Sequence, residues 1–407
     1  MRRGVALLIA GALGAGAAAP TAPAAAAAPP PVIAPAAILV APQTGDVLFR
    51  RDADVERPVA STTKLMTALL VRERVSLGDT FTAVPYSAAA AESKLGLHPG
   101  ERMTVRDLLT ALLVASANDA AQTLAVGTAG SVPAFVSEMN ARAQALGLRH
   151  THYANPVGLD EPGNYSSAAD LARLAEVLRG DAFVRRTVAL PRARLASGDH
   201  PRTIANRNDL VGNYRIVTGV KTGHTDAAGY VLVGSGTRAG VDVVSVVIGD
   251  PSQAARDADT LALLRYGLDQ YRRVPIVLRD RVLASARVRY REDDRIQLVA
   301  ARTVVRVLRR GERPAIAVRA ARRLEGPLPA GARAGTITVR LRGRVVDRVP
   351  LVTAAPVPKV GWAERALDFA FKPGTLAVLL LLVAGGVGVG LLVRRRRAAA
   401  QVGGEAT

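Results

Sequence analysis

Ser61-Thr62-Thr63-Lys64 opens a stretch in which Leu65, Met66, Leu69 and Leu70 recur at helical spacing, so an amphipathic helix is predicted from Ser61 to about Val75. Residues three apart share one face of a helix, which brings the Ser61 hydroxyl and the Lys64 amine together. The mouth of a helix also offers unpaired N–H groups and positive potential where an oxyanion would form. A neutral lysine in that place can take the serine proton and make the oxygen a nucleophile. Alone, Ser-x-x-Lys is a weak signal, because a serine at a helix mouth serves equally well as an N-cap.

The type of base sharpens it. The chain holds 49 arginines but only five lysines: Lys64, Lys94, Lys221, Lys359 and Lys372. Arginine does not deprotonate in a protein, whereas a desolvated lysine does so readily, so lysine at position 64 points to a titratable amine. Two further groupings carry chemistry. In Ser116-Ala117-Asn118 a second hydroxyl can relay protons and an amide can hold a substrate carbonyl; Asn118 is alternatively a helix cap. Lys221-Thr222-Gly223-His224-Thr225 sits on a strand entering a turn, where a glycine lets a substrate backbone come close; an ordinary edge strand is the other reading.

These residues need elements to hold them. Ala37–Val40 and Val47–Arg50 flank Pro42-Gln43-Thr44-Gly45, a hairpin signal. Helices are expected over Val105–Val114, with Thr104 as N-cap, and over Ala168–Leu178. Arg215–Thr225, Gly229–Ser235 and Val241–Ile248 read as consecutive antiparallel strands, closed by a helix from about Ala254 to Tyr271. Strands, helices, then strands again make an α+β catalytic domain, residues 37–272. Short strands broken at Arg310-Gly311 and Gly343 make a small all-β domain, residues 273–353, followed by a linker, residues 354–373.

Composition sets the boundaries of the chemistry. With 407 residues, 49% of them hydrophobic, the chain has ample material for packed cores in more than one domain. The absence of cysteine excludes disulfide scaffolds, thiolate metal sites, iron–sulfur clusters and a cysteine nucleophile. The net charge of +20 is concentrated: 21 arginines face 7 acidic residues between Arg272 and Arg348. There the arginines alternate with apolar residues, as on the solvent face of strands. That pattern and export argue against nucleic acid; an anionic wall polymer or lipid is a better partner, and a merely solvated face is the first reading.

The two ends read as targeting segments. Met1-Arg2-Arg3, the apolar run Val5–Leu13 and the small residues Ala24–Ala28 form a signal peptide, residues 1–28, ahead of an Ala/Pro-rich linker, residues 29–36. Leu376–Val393 is uncharged and long enough for a transmembrane helix, set at residues 374–393. Arg394–Arg397 begin a basic tail, residues 394–407, that the positive-inside rule leaves in the cytoplasm. The expectation is an exported protein held in the cell membrane with its catalytic domain outside the cytoplasm.

Ser-x-x-Lys, Ser-Asp-Asn and Lys-Thr-Gly in this order mark penicillin-binding proteins and class A β-lactamases, and this chain has the set with Ala117 in place of the Asp typical of those lactamases. From about Ala37 to Tyr271 the chain resembles the D-alanyl-D-alanine carboxypeptidases, low-molecular-mass penicillin-binding proteins. Ala60–Thr67, Asn155–Leu159, Tyr165–Ala168, Asn206–Asn208 and Lys221–Asp226 carry the likeness. The resemblance implies a penicillin-binding/β-lactamase-like catalytic domain, an antiparallel sheet flanked by helices, followed by a β domain acting as a spacer. By position it makes Ser61 the acylated nucleophile, Lys64 its base, Ser116 a relay and Asn118 a substrate holder. Lys221, Thr222 and Arg207 would face the terminal carboxylate, at a strand whose Gly223 admits the substrate. The N–H groups of Ser61 and His224 would form the oxyanion hole. Peptidoglycan stem peptides are then the substrates and β-lactams the covalent inhibitors. Many members of that family use a C-terminal amphipathic helix on the membrane, in place of which this tail reads as a span.

The same residues would serve cleavage of cross-links by an endopeptidase. From another class, an idle membrane-tethered binder of wall peptides or β-lactams is the rival, against which the intact Ser61, Lys64, Ser116 and Lys221 speak. Glu161 lies in a Gly/Pro turn and is read as a turn residue, not as a lactamase general base. His150 and His152 would share a side of a strand without a third ligand near, so no metal and no other cofactor is expected.

Overall fold

The computed structural model of the chain describes residues 28–402 apart from 88, 90 and 372. The signal peptide expected over residues 1–28 thus lies outside the described residues but for its last, as do 403–407 of the basic tail. Two compact units form, one running to Arg272 and taking in Arg309–Gly311, the other made of Arg273–Leu308 and the chain from Glu312 onward.

The first unit is built on strands β1 (Ala36–Ala41) and β2 (Asp46–Arg51), paired as the hairpin the turn residues predict. Helix α1 (Lys64–Arg74) follows a 3-10 turn at Ala60–Thr63. It differs from the amphipathic helix expected: Lys64 to Val71 are all buried, so its first two turns run through the core. Burying a Leu or Met side chain is worth about 1.5–3 kcal/mol, and four of them hold these turns in place without any side-chain cap.

Helix α2 (Val105–Thr110) starts where Thr104 accepts the Asp107 N–H at 3.2 Å. The single helix expected to Val114 instead widens into a π-turn over Ala111–Ala115 and stops at Ser116, whose φ is +62°. Helices α3 (Asn118–Ala129), α4 (Val132–Leu146) and α5 (Ala168–Leu178) complete the helical layer. Of these, only α5 was legible beforehand. Strands β3 (Val217–Thr225), β4 (Gly229–Arg238) and β5 (Val241–Asp250) are the antiparallel run predicted, and helix α6 (Gln253–Gln270) closes the unit.

The sheet order is β2-β1-β5-β4-β3, which leaves β3 on an edge. One face meets the helical layer through Ile38, Val231, Val233, Val244 and Val246, all in one core with α1, α3 and α5. On the other face α6 comes so close that a Cβ on Gly267 would stand 3.1 Å from both Leu39 and Val243. Edge strand β3, itself mostly buried, thus belongs to a sheet held between two layers, a rigid place to mount a site.

In the second unit six strands pair in the order β8-β10-β11-β7-β6-β9. They are β6 (Val282–Val288), β7 (Arg291–Ala300), β8 (Ala315–Ala320), β9 (Arg323–Leu324), β10 (Arg333–Leu341) and β11 (Arg344–Thr353). Leu298, Ile337, Val339, Val349 and Leu351 fill its core, as alternation predicts. Within residues 354–373, expected as linker, Trp362–Ala370 forms helix α7. Glu364 takes the Gly361 N–H at 2.8 Å and pairs with Arg291 at 2.7 Å, and Trp362, Leu367, Phe369 and Phe371 are exposed. Helix α8 (Pro373–Val402) contains Gly374–Arg395, 22 residues with an 18-residue stretch of mean hydropathy 2.8, long and apolar enough to cross a membrane.

Candidate active site

Ser61 lies inside the 3-10 turn, after Ala60 at φ +48°, a left-handed conformation rare for a residue with a Cβ. Its hydroxyl does not cap the helix. Lys64 Nζ stands 2.6 Å from Ser61 Oγ and donates to the Val157 carbonyl at 2.6 Å. The amine is fully buried, and burial, then the charge of Lys221, holds its pKa well below the usual lysine value, with Glu92 and Asp119 pulling the other way. Such a shift favours the neutral amine, which has a lone pair to accept a proton.

The acceptor for Lys64 is delivered by a turn that Asn155 organises. Asn155 Oδ1 accepts the N–H groups of Val157, Gly158 and Leu159, the middle one at 2.7 Å. Thr67 donates to the Pro156 carbonyl at 2.7 Å, tying the turn to α1. Gly158, at φ +87°, leaves its backbone against Ala60: a Cβ there would sit 2.0 Å from the Ala60 oxygen.

The second lysine meets the second serine. Lys221 Nζ on β3 donates to Ser116 Oγ at 2.8 Å and to the Thr222 carbonyl at 2.9 Å. Burial, then the charges of Arg207 and Arg256, lowers its pKa to about 7. Ser116 reaches it because the π-turn ends in a left-handed residue, a local distortion often found at functional sites. Arg207 is tied to the same turn by its N–H, which donates to the Val114 carbonyl at 3.0 Å, and its exposed side chain lines a cavity of about 410 Å³ with Asn206 and Gln253.

Edge strand β3 runs past the serine. A Cβ on Gly223 would lie 3.1 Å from Ser61 N and 3.0 Å from the Val59 oxygen, a tight fit that glycine relieves. Thr222 beside it is buried, and the exposed His224 lays its ring against Tyr230 with centroids 4.0 Å apart. On the far side, Asn118 is buried at the start of α3. Its Nδ2 donates to Glu92 at 2.7 Å, while its Oδ1 has no hydrogen-bond partner among the described residues. Glu92 also takes the Tyr86 hydroxyl and the Ala89 N–H; these bonds and the Lys64 charge outweigh burial and keep its carboxyl below the usual range. Asp119 secures the loop by accepting the N–H groups of Leu95, Gly96 and Leu97.

Residues 23–252 match the D-alanyl-D-alanine carboxypeptidase peptidase family, and residues 271–359 match the C-terminal domain of penicillin-binding protein 5. D-alanyl-D-alanine carboxypeptidase DacF of Bacillus subtilis is 30% identical over 338 residues, 81% of this chain and 87% of that protein. The chain belongs to the D-alanyl-D-alanine carboxypeptidase family. The DacA protein of Escherichia coli is 31% identical over 82% of this chain and 85% of its own length. Among solved structures, penicillin-binding protein 5 from Haemophilus influenzae is similar with a TM-score of 0.59 and 28% identity, covering 82% of this chain and all of that one. The Streptomyces K15 DD-transpeptidase is similar over 60% of this chain and all of that one, at 31% identity and a TM-score of 0.57.

Within this family fold, the two serine–lysine pairs, Asn118 and Gly223 come together around one edge of the sheet. Four participants carried no role in the sequence reading. Asn155 and Gly158 stood in a quoted segment, Asn155–Leu159, and the Asn-x-x-Gly spacing is itself a turn signal. Glu92 stands in an alanine-rich stretch whose pattern says nothing of the buried amide it meets. Arg256 looked like any arginine of helix α6. Glu161 accepts from Asn155 Nδ2 at 2.8 Å on the surface of the turn, and His152 Nδ1 lies 2.5 Å from the Gly163 carbonyl.

Proposed function

We propose that this chain removes the terminal D-alanine from peptidoglycan stem peptides by an acyl-enzyme route on Ser61. The observation that carries the reading is the 2.6 Å contact between Ser61 Oγ and a fully buried Lys64 amine whose pKa is pulled down. With one N–H engaged by Val157, the neutral amine has its lone pair free for the serine proton. A base so placed contributes about 10²–10⁴-fold. Ser61 Oγ then attacks the carbonyl carbon between the two D-alanines. The oxyanion that forms is stabilised by the N–H groups of Ser61 and His224, a reading supported by the close passage of Gly223.

Collapse of the tetrahedral intermediate breaks the C–N bond. The departing amine takes the proton held by Lys64, directly or through Ser116, and D-alanine leaves. Water, deprotonated by the same lysine, hydrolyses the ester and returns the serine. Lys221 and Arg207, joined by Thr222, supply the positive surface for the terminal carboxylate, and Asn118 holds the peptide amide. A β-lactam enters as the dipeptide does, but its leaving nitrogen stays tethered, so the ester on Ser61 persists. Helix α8 anchors the protein, and Arg394–Arg397 on its cytoplasmic side leave the catalytic unit outside, where the stem peptides are.

The test is release of D-alanine from a diacyl-Lys-D-Ala-D-Ala tripeptide by the detergent-solubilised chain, with Ser61→Ala alongside. Release that disappears in the variant is expected. Absence of release in a folded protein that penicillin still acylates would overturn the carboxypeptidase reading in favour of cross-link cleavage or an idle binder.

A further inference from the structure

The arginine surplus of the second unit has a definite address. A groove of about 610 Å³ crosses the outer face of the β8–β10–β11 sheet, lined by Arg319, Arg333, Arg340 and Arg348, with Thr336 and Thr338 between them. The register pairs Arg319 with Thr336 and Thr338 with Arg348 across the three strands. The alternate residues Ile337, Val339 and Val349 are completely buried beneath, so the arginines project outward from a fixed floor. Among the described residues no acidic side chain lines this groove.

The contrast with the rest of the unit is what marks the groove. Elsewhere arginines meet acids: Arg289 pairs with Glu325 at 2.6 Å, Arg291 with Glu364, Arg302 and Arg306 both with Asp347, and Arg342 with Glu312 at 2.8 Å. Among the described residues the four groove arginines make no ion pair; Arg333 donates only to the Thr336 hydroxyl at 3.3 Å. Four like charges side by side on a sheet repel, which costs stability unless something anionic lies among them.

We propose that this face binds a linear phosphodiester polymer. The spacing speaks for a chain of anions over a single one. Strand geometry puts the Cα atoms of Arg319, Arg340 and Arg348 about 8–14 Å apart, too far to converge on one ion but suited to successive charges along a strand-like ligand. Guanidinium forks match phosphate oxygens two at a time, and the threonine hydroxyls add neutral donors. A membrane surface would be met through projecting aromatic and large apolar side chains. The exposed aromatic side chains of this kind, Trp362, Phe369 and Phe371, belong to α7 and its end and none lines the groove, where Val345 is the one exposed large apolar residue among the described residues.

The test uses the full chain in nanodiscs of zwitterionic lipid and a fluorescently labelled poly(glycerol phosphate), read by anisotropy across a salt series. Arg319→Gln/Arg340→Gln/Arg348→Gln is compared with Arg295→Gln/Arg313→Gln/Arg322→Gln, which removes the same charge from exposed positions elsewhere in the unit. The groove variant should bind at least about tenfold more weakly and lose about two from the slope of log K against log salt, while the control keeps most of both. A charge-preserving set, Arg319→Lys/Arg340→Lys/Arg348→Lys, should lose several-fold, since lysine lacks the fork. Equal losses in groove and control variants would reduce the effect to bulk charge and overturn the proposal. So would equal binding of poly-L-glutamate, or binding to anionic nanodiscs with none to the polymer. Unchanged thermal unfolding of each variant confirms that a loss is not misfolding.

Discussion

Replacing Gly158 by alanine tests whether the turn that serves Lys64 is positioned by backbone contact. The added Cβ would meet the Ala60 oxygen at 2.0 Å and its carbonyl carbon at 2.5 Å, and backbone on both sides cannot swing away as a side chain would. Reaching even a tight 3.0 Å requires the turn to retreat by about 1 Å, which stretches the 2.6 Å contact from Lys64 to Val157 beyond hydrogen-bond length. Overpacking costs about 1–3 kcal/mol, and the left-handed φ about 1–2 kcal/mol more. Reduced freedom of the unfolded chain offsets about 0.4–1 kcal/mol. A net loss of about 2–4 kcal/mol follows by these principles.

The control is Gly45→Ala, at φ +73° with nothing within 4 Å of the new Cβ, which isolates the backbone term at about 1 kcal/mol. Acylation by a fluorescent penicillin should fall about 10²-fold in Gly158→Ala, as expected for misplacement of a catalytic group by about 1 Å, and stay unchanged in Gly45→Ala. An acylation rate within about threefold of the native chain in Gly158→Ala would refute the reasoning, because it would mean that Lys64 does not depend on this turn.

Lys64→Arg keeps the charge but not the ability to lose a proton, so penicillin acylation should drop by about 10²–10⁴-fold, measured by stopped-flow labelling. Glu92 raises the Lys64 pKa, so Glu92→Gln should move the acidic limb of the acylation profile to lower pH; a limb that stays or moves up contradicts the assignment. Lys221, at about 7 in the free protein, should make kcat/KM for a carboxylate-ended peptide fall as pH rises past 7, with no such limb for an amidated one. Burial, then the Asp259 charge, raises Asp250 to about 7 from an ordinary 3.8, so its contribution is full below about pH 4 and is lost as pH rises towards 7. Thermal midpoints across that window should fall with pH in the native chain and fall less in Asp250→Asn.

The elements that the sequence displayed well are those whose periodicity is set by one buried face. The β1–β2 hairpin, α5 and the β3–β4–β5 run have turn residues at their ends and apolar residues at a single period, and they form as read. Helix α1 was legible as a helix but not as a buried one, because Lys64 and Thr67 look polar until their partners are known. The break at Ser116 was visible as an end of helix, yet a π-turn has no pattern of its own; it follows from packing around Ala111–Ala115. The motif residues could be named in advance because their chemistry is rare and ordered along the chain. Glu92 could not, since what makes it matter is a tertiary contact with Asn118, 26 residues away.

A fold that buries two amines must answer for their charge. An isolated ammonium in apolar surroundings is expensive, and the usual outcome is that it gives up its proton. The two lysines divide that outcome. Lys64 is driven far down, partly by Lys221, while Lys221 stays near neutrality with arginines at its side. A carboxylate arriving beside Lys221 and Arg207 would favour the protonated form of Lys221. The positive charge gained there acts on Lys64 in the direction that empties it further. On the proposed assignment, recognition of the terminal carboxylate and readiness of the base are therefore one electrostatic event. A substrate without the carboxylate would lose more than an anchoring contact, because it would also leave the base less fully deprotonated. This coupling accounts for lysine at both positions in a chain that otherwise uses arginine, since an arginine at 221 would keep its charge whether or not the site were filled.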